Sequence, residues 1–236
     1  MATVDLPAGP TTGTSLAVAH PPSCLPTGWT LADLQAHLGG VPLDRIRLYP
    51  PPGMATEQDA LNIADHEDRW CELVDGILVE KVMASFESLV ACTLIQWEKN
   101  FLDEHPWGIV LGEGGALHIL PQRMRIPDVS FIRWERFPER KLPRDRVFRV
   151  APDLAVEILS EGNTEDEMRI KVGEYFRAGV RLVWLIDPEA RSARVYTEEH
   201  QYDVLDENGV LDGRDVLPGF QFRLGDLIDA LPRASK

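Results

Sequence analysis

Long hydrophobic runs, paired cysteines, clustered histidines and an excess of positive charge are all missing from this sequence of 236 residues. No apolar stretch approaches the ~20 residues needed to cross a bilayer, so no membrane partner is expected. The N-terminus has no basic region followed by an apolar core, which speaks against a secretory signal. The cysteines are Cys24, Cys71 and Cys92, an odd number without close spacing. That pattern fits free thiols in a reducing cytoplasm rather than a disulfide framework or a zinc site. The 6 histidines are dispersed and form no His-x-x-x-His pair, which leaves the histidine-rich zinc classes without support. With 24 basic against 38 acidic side chains, the formal net charge is -14. A balance of that sign argues against a phosphate-rich partner, which normally needs an excess of Lys and Arg.

The distribution of charge qualifies that exclusion. Between Arg123 and Arg149 stand nine basic residues: Arg123, Arg125, Arg133, Arg136, Arg140, Lys141, Arg144, Arg146 and Arg149. The acids there are Asp128, Glu135, Glu139 and Asp145, so the segment is +5 (9 - 4) and the remainder -19 (-14 - 5). Two readings stay open: a solvated loop, or an arm that contacts phosphate.

Residues 1–27 are rich in Pro, Thr, Ala and Ser without periodic apolar pattern and read as a flexible tail. Residues 28–236 read as a single domain. Thr30 and Thr56 stand as N-caps of short helices running to His37 and to about Ala64. Asp75-Gly76 joins Cys71–Val74 to Ile77–Glu80 as a hairpin. A long amphipathic helix is expected from about Ser85 to Asp103, with Leu89, Cys92, Thr93, Gln96, Trp97 and Phe101 on its apolar face. Short strands follow at Ile109–Leu111, Ala116–Ile119 and Asp128–Ile132. Strand Leu154–Leu159, helix Glu165–Ala178 and strand Val180–Ile186 form a βαβ unit, hence a parallel pair. Arg194–Tyr196 and Gln201–Val204 continue as a meander, and a short helix lies near Leu224–Leu231. The pattern predicts one mixed α/β domain.

Polar residues on apolar segments are the chemical signal. Glu157 sits inside Leu154-Ala155-Val156-Glu157-Ile158-Leu159, and Asp128 opens Asp128-Val129-Ser130-Phe131-Ile132. A buried carboxylate is costly unless it is paired or holds a metal. If the strands are neighbours, Asp128 and Glu157 can share a divalent ion, and hard oxygen ligands suit magnesium or manganese. Lys171 lies on the apolar stripe Met168, Lys171, Val172, Tyr175 and Phe176. Its ammonium can reach the strand ends, where it would orient water or stabilise a phosphorane. A surface ion pair with Glu167 or Glu174 explains it equally simply. Glu87 is either a site acid or a solvated first-turn carboxylate. Gly112-Glu113-Gly114-Gly115 lacks the following Lys-Ser/Thr of a P-loop and reads as a turn. Ser160 has no Gly-x-Ser-x-Gly elbow around it.

Taken together, Asp75-Gly76…Val79-Glu80, Pro127-Asp128-Val129, Pro152-Asp153-Leu154-Ala155-Val156-Glu157-Ile158-Leu159-Ser160, Lys171…Tyr175…Ala178-Gly179-Val180 and Val183-Trp184…Asp187-Pro188 resemble the Uma-two-type restriction endonuclease family of the PD-(D/E)XK nuclease superfamily. The resemblance covers roughly residues 41 to 230. It implies a restriction-endonuclease-like core: a central mixed β-sheet flanked by helices, with β-hairpin additions. It implies Asp128 and Glu157 as metal-binding carboxylates, with the carbonyl of Ile158 as a further ligand. The superfamily's lysine two residues after the Glu is replaced here by Leu159, and the resemblance offers Lys171 instead. Glu87 matches a helix-borne acid that often completes such sites.

The expected function is a Mg2+- (or Mn2+-) dependent DNA endonuclease, with DNA met through the Arg123–Arg149 segment and a homodimer as the natural form for double-strand cleavage. The alternative is a catalytically inactive binding or interaction protein on the same fold, motivated by the acidic balance and by Leu159.

Overall fold

The computed structural model describes residues 25–82 and 84–231. Most of the expected tail, residues 1–24 with Cys24, lies outside the described residues. In chain order the elements are α1 (Leu31–His37), α2 (Glu57–Glu67), β1 (Cys71–Val74), β2 (Ile77–Glu80), α3 (Ser85–Glu104), β3 (Gly108–Leu111), β4 (Ala116–Leu120), β5 (Arg123–Arg125), β6 (Val129–Arg133), β7 (Val147–Phe148), β8 (Leu154–Ile158), α4 (Glu165–Arg177), β9 (Leu182–Asp187), β10 (Ser192–Glu198), β11 (Gln201–Leu205), β12 (Val210–Asp212), β13 (Gln221–Arg223) and α5 (Leu224–Asp229).

Local chemistry sets the ends of these elements. Thr30 and Thr56 each form a reciprocal capping box with the Asp three residues on, and the Thr164 hydroxyl accepts from the Glu167 N–H at 3.1 Å. The β1–β2 turn places Asp75 at φ 49° and Gly76 at φ 71°, the two left-handed residues of a tight hairpin. A side chain at Gly76 would stand 2.6 Å from the carbonyl oxygen of Gly53, so that position also needs a bare backbone.

The central sheet is mixed, with strand order β11-β10-β9-β8-β6-β3. β8 and β9 pair in parallel across α4, as the βαβ pattern predicts, and the other neighbours are antiparallel. Strand alternation divides the core. Leu154, Val156, Ile158, Leu182, Trp184 and Ile186 face α3 and α5. Ala155, Val183 and Leu185 face Met168, Val172 and Tyr175 of α4. The expected hairpin is part of something larger, a second sheet of order β2-β1-β5-β4-β7.

Two expectations need correction. β5 was read as part of a basic loop, yet it pairs with β1 and β4 in the middle of the second sheet. Its Met124 is buried in the apolar cluster with Ala60 and Ile63 of α2, while Arg123 and Arg125 both reach Glu174 of α4. A strand with charge on one face and a single methionine on the other has little hydropathic signal. In α3 the buried stripe is Val90, Ala91, Leu94, Glu98 and Leu102. Trp97 and Phe101 pack at its margin, but Leu89 and Cys92 face outward, so the predicted face was rotated.

Glu98 explains that rotation, because a charged residue type occupies the centre of the buried stripe. Both of its carboxylate oxygens are buried without a hydrogen-bond partner among the described residues. Burial pushes its pKa up to about 8. A raised acid pKa means that the protonated form belongs to the folded state. The stabilisation is full below the ordinary carboxylate range and is lost as pH rises towards about 8. Glu98→Leu is therefore predicted to gain stability over the wild type between about pH 5 and pH 8, by up to about 1.4 kcal/mol per pH unit. Urea unfolding across that range checks this; a constant difference would contradict it.

Candidate functional site

Three elements converge where the two sheets meet α4. β8 carries Glu157 on its α4 side, because parity puts it with Ala155. α4 presents Lys171, Glu174 and Tyr175 at helical spacings of three and four, all buried. β1 presents Glu72 from the second sheet, also buried.

Asp128 stands one step beyond the Val129–Val156 partners of β6 and β8, and so opposite Glu157. Its backbone N–H donates to Val156 O at 3.0 Å, and its Oδ2 accepts the Ile158 N–H at 2.6 Å. The side chain thus continues the ladder where the strand ends. Asp128 Oδ1 faces Lys81 Nζ at 2.8 Å, and the same ammonium donates to the carbonyl of Ile126.

Glu157 accepts from Lys171 Nζ on Oε2 at 3.2 Å and from the Tyr175 hydroxyl on Oε1. Lys171 is shared with Glu72 Oε1, again at 3.2 Å. Glu72 is pinned further by the Ile126 N–H at 3.0 Å and by Arg125 Nη1 at 2.7 Å. Arg125 and Arg123 then close on Glu174 at 2.6 and 2.7 Å.

These contacts bear on the surface ion pair expected of Lys171. Its helical neighbours are engaged elsewhere, Glu167 with Arg45 and Glu174 with the two arginines. Lys171 is turned inward to Glu72 and Glu157, so the surface ion pair is not formed.

Electrostatics separates the two carboxylates that share Lys171. Burial opposes ionisation of Glu72, but Lys171, Arg125 and Lys81 outweigh it and hold its pKa below the usual range. For Glu157, burial prevails over Lys171 and Lys81, and the nearby Asp128 and Glu72 charges push its pKa the same way, upward. Burial works against the charged form of Lys171, yet Glu157, Glu72 and Glu167 prevail and its pKa is raised. Burial first, then the Glu157 and Glu72 charges, keep Tyr175 neutral and donating.

A cleft of about 900 Å³ opens past the end of β8, and its described lining holds Val82 and Leu159 but not Asp128, Glu157 or Lys171 themselves. Phe86 and Glu87 at the start of α3 form one wall; Leu159, Ser160, Asp187 and Pro188 at the ends of β8 and β9 form the other. Glu87 lies at this rim, and its Oε2 is buried with no hydrogen-bond partner among the described residues. Ser160 is taken up in a turn, its N–H and hydroxyl both donating to Asn163 Oδ1. The glycine-rich stretch after β3 is the expected turn, closed by Gly115 N–H to Gly112 O at 2.8 Å.

The basic segment is not a free arm. Arg123, Arg125, Arg133, Arg136, Arg140, Lys141, Arg146 and Arg149 all contact carboxylates or carbonyls. Several of these partners, such as Asp65, Asp75, Glu57 and Glu174, come from outside the segment, which cancels much of its local excess.

The residues missed from sequence are Glu72, Lys81, Arg125, Glu174 and the role of Tyr175. Glu72 did carry a signal, as a charge inside the otherwise apolar β1. Arg125 and Glu174 carried none, because their ion pairs join residues far apart in sequence.

Among the described residues no three His, Cys, Asp or Glu side chains stand together as a preformed metal cage. Magnesium does not require one; it keeps much of its water and binds through one or two carboxylates. The donor set here is hard oxygen. Asp128 Oδ1 and Glu157 Oε2 each already accept a cation, the ammonium of a lysine. The orphaned Glu87 oxygen adds a further acceptor at the rim. The residues therefore fit a divalent ion held by two carboxylates.

The arrangement of helices around a mixed sheet is shared with a solved structure. The chain matches the "Crystal structure of a putative nuclease belonging to DUF820 from Anabaena variabilis" with a TM-score of 0.61 and 19% identity, over 69% of this chain and 91% of that one. At that identity the likeness defines the fold. The family model described as "Uma2: Putative restriction endonuclease" matches residues 56–225, and the chain belongs to this family. A comparison with curated proteins returned no match. No helix among the described residues is long and apolar enough to cross a membrane.

Burial distinguishes the ion pairs of the cluster from those on the surface. Arg125→Met leaves Glu72 and Glu174 without their shared counter-ion and is predicted to cost about 3–5 kcal/mol. Arg140→Met breaks only the exposed pair with Glu135 and should stay within about 1 kcal/mol. Chemical unfolding of the two variants side by side checks the contrast; equal losses would contradict it.

Proposed function

We propose that this protein is a divalent-metal-dependent endonuclease that hydrolyses DNA phosphodiester bonds. The observation that carries the reading is the opposition of Asp128 and Glu157 on neighbouring strands, each with one oxygen on a cation; the chain just past Glu157 and Lys81, at Leu159 and Val82, lines an open cleft. Asp128 Oδ1 and Glu157 Oε2 would hold Mg2+ or Mn2+, with the Ile158 carbonyl as a third ligand. Such an ion, when bound, polarises the phosphate and makes water a competent nucleophile near neutral pH.

The protein's own groups supply the remaining work. Glu72 gives Lys171 a second acid, so the ammonium would stay charged and close when Glu157 Oε2 takes the metal, ready for charge that develops on phosphate. Tyr175 holds Glu157 Oε1, which leaves Oε2 as the working oxygen. Glu87 lines the cleft, and its buried Oε2, without a partner among the described residues, would accept from a water held there. DNA would approach along the cleft, with the Arg123–Arg149 segment contributing the residual charge that its ion pairs leave.

One observation favours the second reading, a non-catalytic nuclease-fold binding protein. The described lining of the cleft contains Glu87, Glu161, Asp187 and Glu189 and no Lys or Arg, a surface that repels bare phosphate. Incubation with supercoiled plasmid and single-stranded DNA under Mg2+ or Mn2+ separates the two. Cleavage should fall by at least about a hundredfold in Asp128→Ala and Glu157→Gln. Equal inertness of wild type and variants with every metal and DNA form would support the binding protein.

A further inference from the structure

Lys81 has no task in the reaction described above, yet it is nearly as buried as Lys171. Its position is constraining. Asp128 has two carboxylate oxygens, and Oδ2 is committed to the Ile158 N–H at 2.6 Å. Oδ1 is the oxygen left for a metal, and Lys81 Nζ stands on it at 2.8 Å. An ammonium and a divalent ion compete for one carboxylate oxygen in a buried site, because like charges at that separation repel. A divalent ion that uses Oδ1 therefore works against Lys81.

The Lys81 ammonium also contacts the Ile126 carbonyl, which can keep it when Asp128 is taken by an ion. Lys171 likewise stands on Glu157 Oε2, with Glu72 beside it. Each carboxylate of the proposed metal pair thus carries a lysine on the oxygen that a metal would use.

We propose that Lys81 is a displaceable counter-ion: it occupies the Asp128 oxygen that a divalent ion needs, and gives it up when the ion binds. The inference rests on the reading of Asp128 as a metal ligand. Lys81 would then set how tightly metal binds.

Calorimetric titration of the full chain with Mn2+ alone tests this without any cleavage assay. Lys81→Met is expected to bind Mn2+ at least about tenfold more tightly than wild type, since the competing charge is gone. The gain should vanish in the Lys81→Met/Asp128→Asn double variant. Lys81→Gln keeps a donor for the Ile126 carbonyl and should show the same gain, which covers the case that Lys81→Met does not fold. If wild type binds Mn2+ through Asp128 but neither Lys81 variant binds more tightly, the counter-ion role is overturned and the metal reading stands. If no folded protein in the series binds Mn2+, both are overturned.

Discussion

A carboxylate in the interior of a β-strand needs a counter-charge, and the architecture around β8 answers that need for Glu157. Its partner Lys171 comes from the crossover helix, and Lys171 is shared with Glu72 of the other sheet. Glu72 in turn requires Arg125, and Arg125 joins Glu174 back to α4. The ion pairs thus tie β1, β5, β8 and α4 together by directional contacts, where apolar packing alone would permit sliding. Breaking one member strands the next, because none has water to fall back on.

The same arrangement gives the site its chemical character. Glu157 and Glu72 are both buried and share one lysine, yet their environments push their pKa values in opposite directions. Glu72 is saturated by Arg125, Lys171 and a backbone N–H, so it acts as a fixed anion that positions the lysine. Glu157 has fewer partners and sits nearer Asp128. Glu72 is the more fully paired of the two, a division that follows from environment rather than residue type, and under the proposed function Glu157 would be the one to take a cation. The acidic cleft fits this picture if phosphate arrives with its divalent ion.

Much of this was legible in the sequence where a local rule applied. The threonine caps, the Asp75-Gly76 turn and the βαβ unit follow from backbone chemistry over a few residues, and the structure has them. Glu157 and Asp128 stood out because a charge interrupts an apolar strand. Glu72 interrupts one as well, in Cys71-Glu72-Leu73-Val74, but hairpin strands commonly alternate, and the alternation concealed its burial. Arg125 and Glu174 are buried only by virtue of contacts 49 residues apart in sequence, which no local pattern encodes. The α3 face was misjudged because Glu98 occupies its buried centre without a partner, against the rule that hydropathy follows burial.

Diffraction from crystals soaked in Mn2+, recorded at a wavelength where manganese scatters anomalously, tests the central claim most directly. The account predicts an anomalous peak between Asp128 and Glu157, about 2.0–2.3 Å from an oxygen of each. A peak confined to the surface acids of the cleft, or no peak in crystals that withstand the soak, would contradict it.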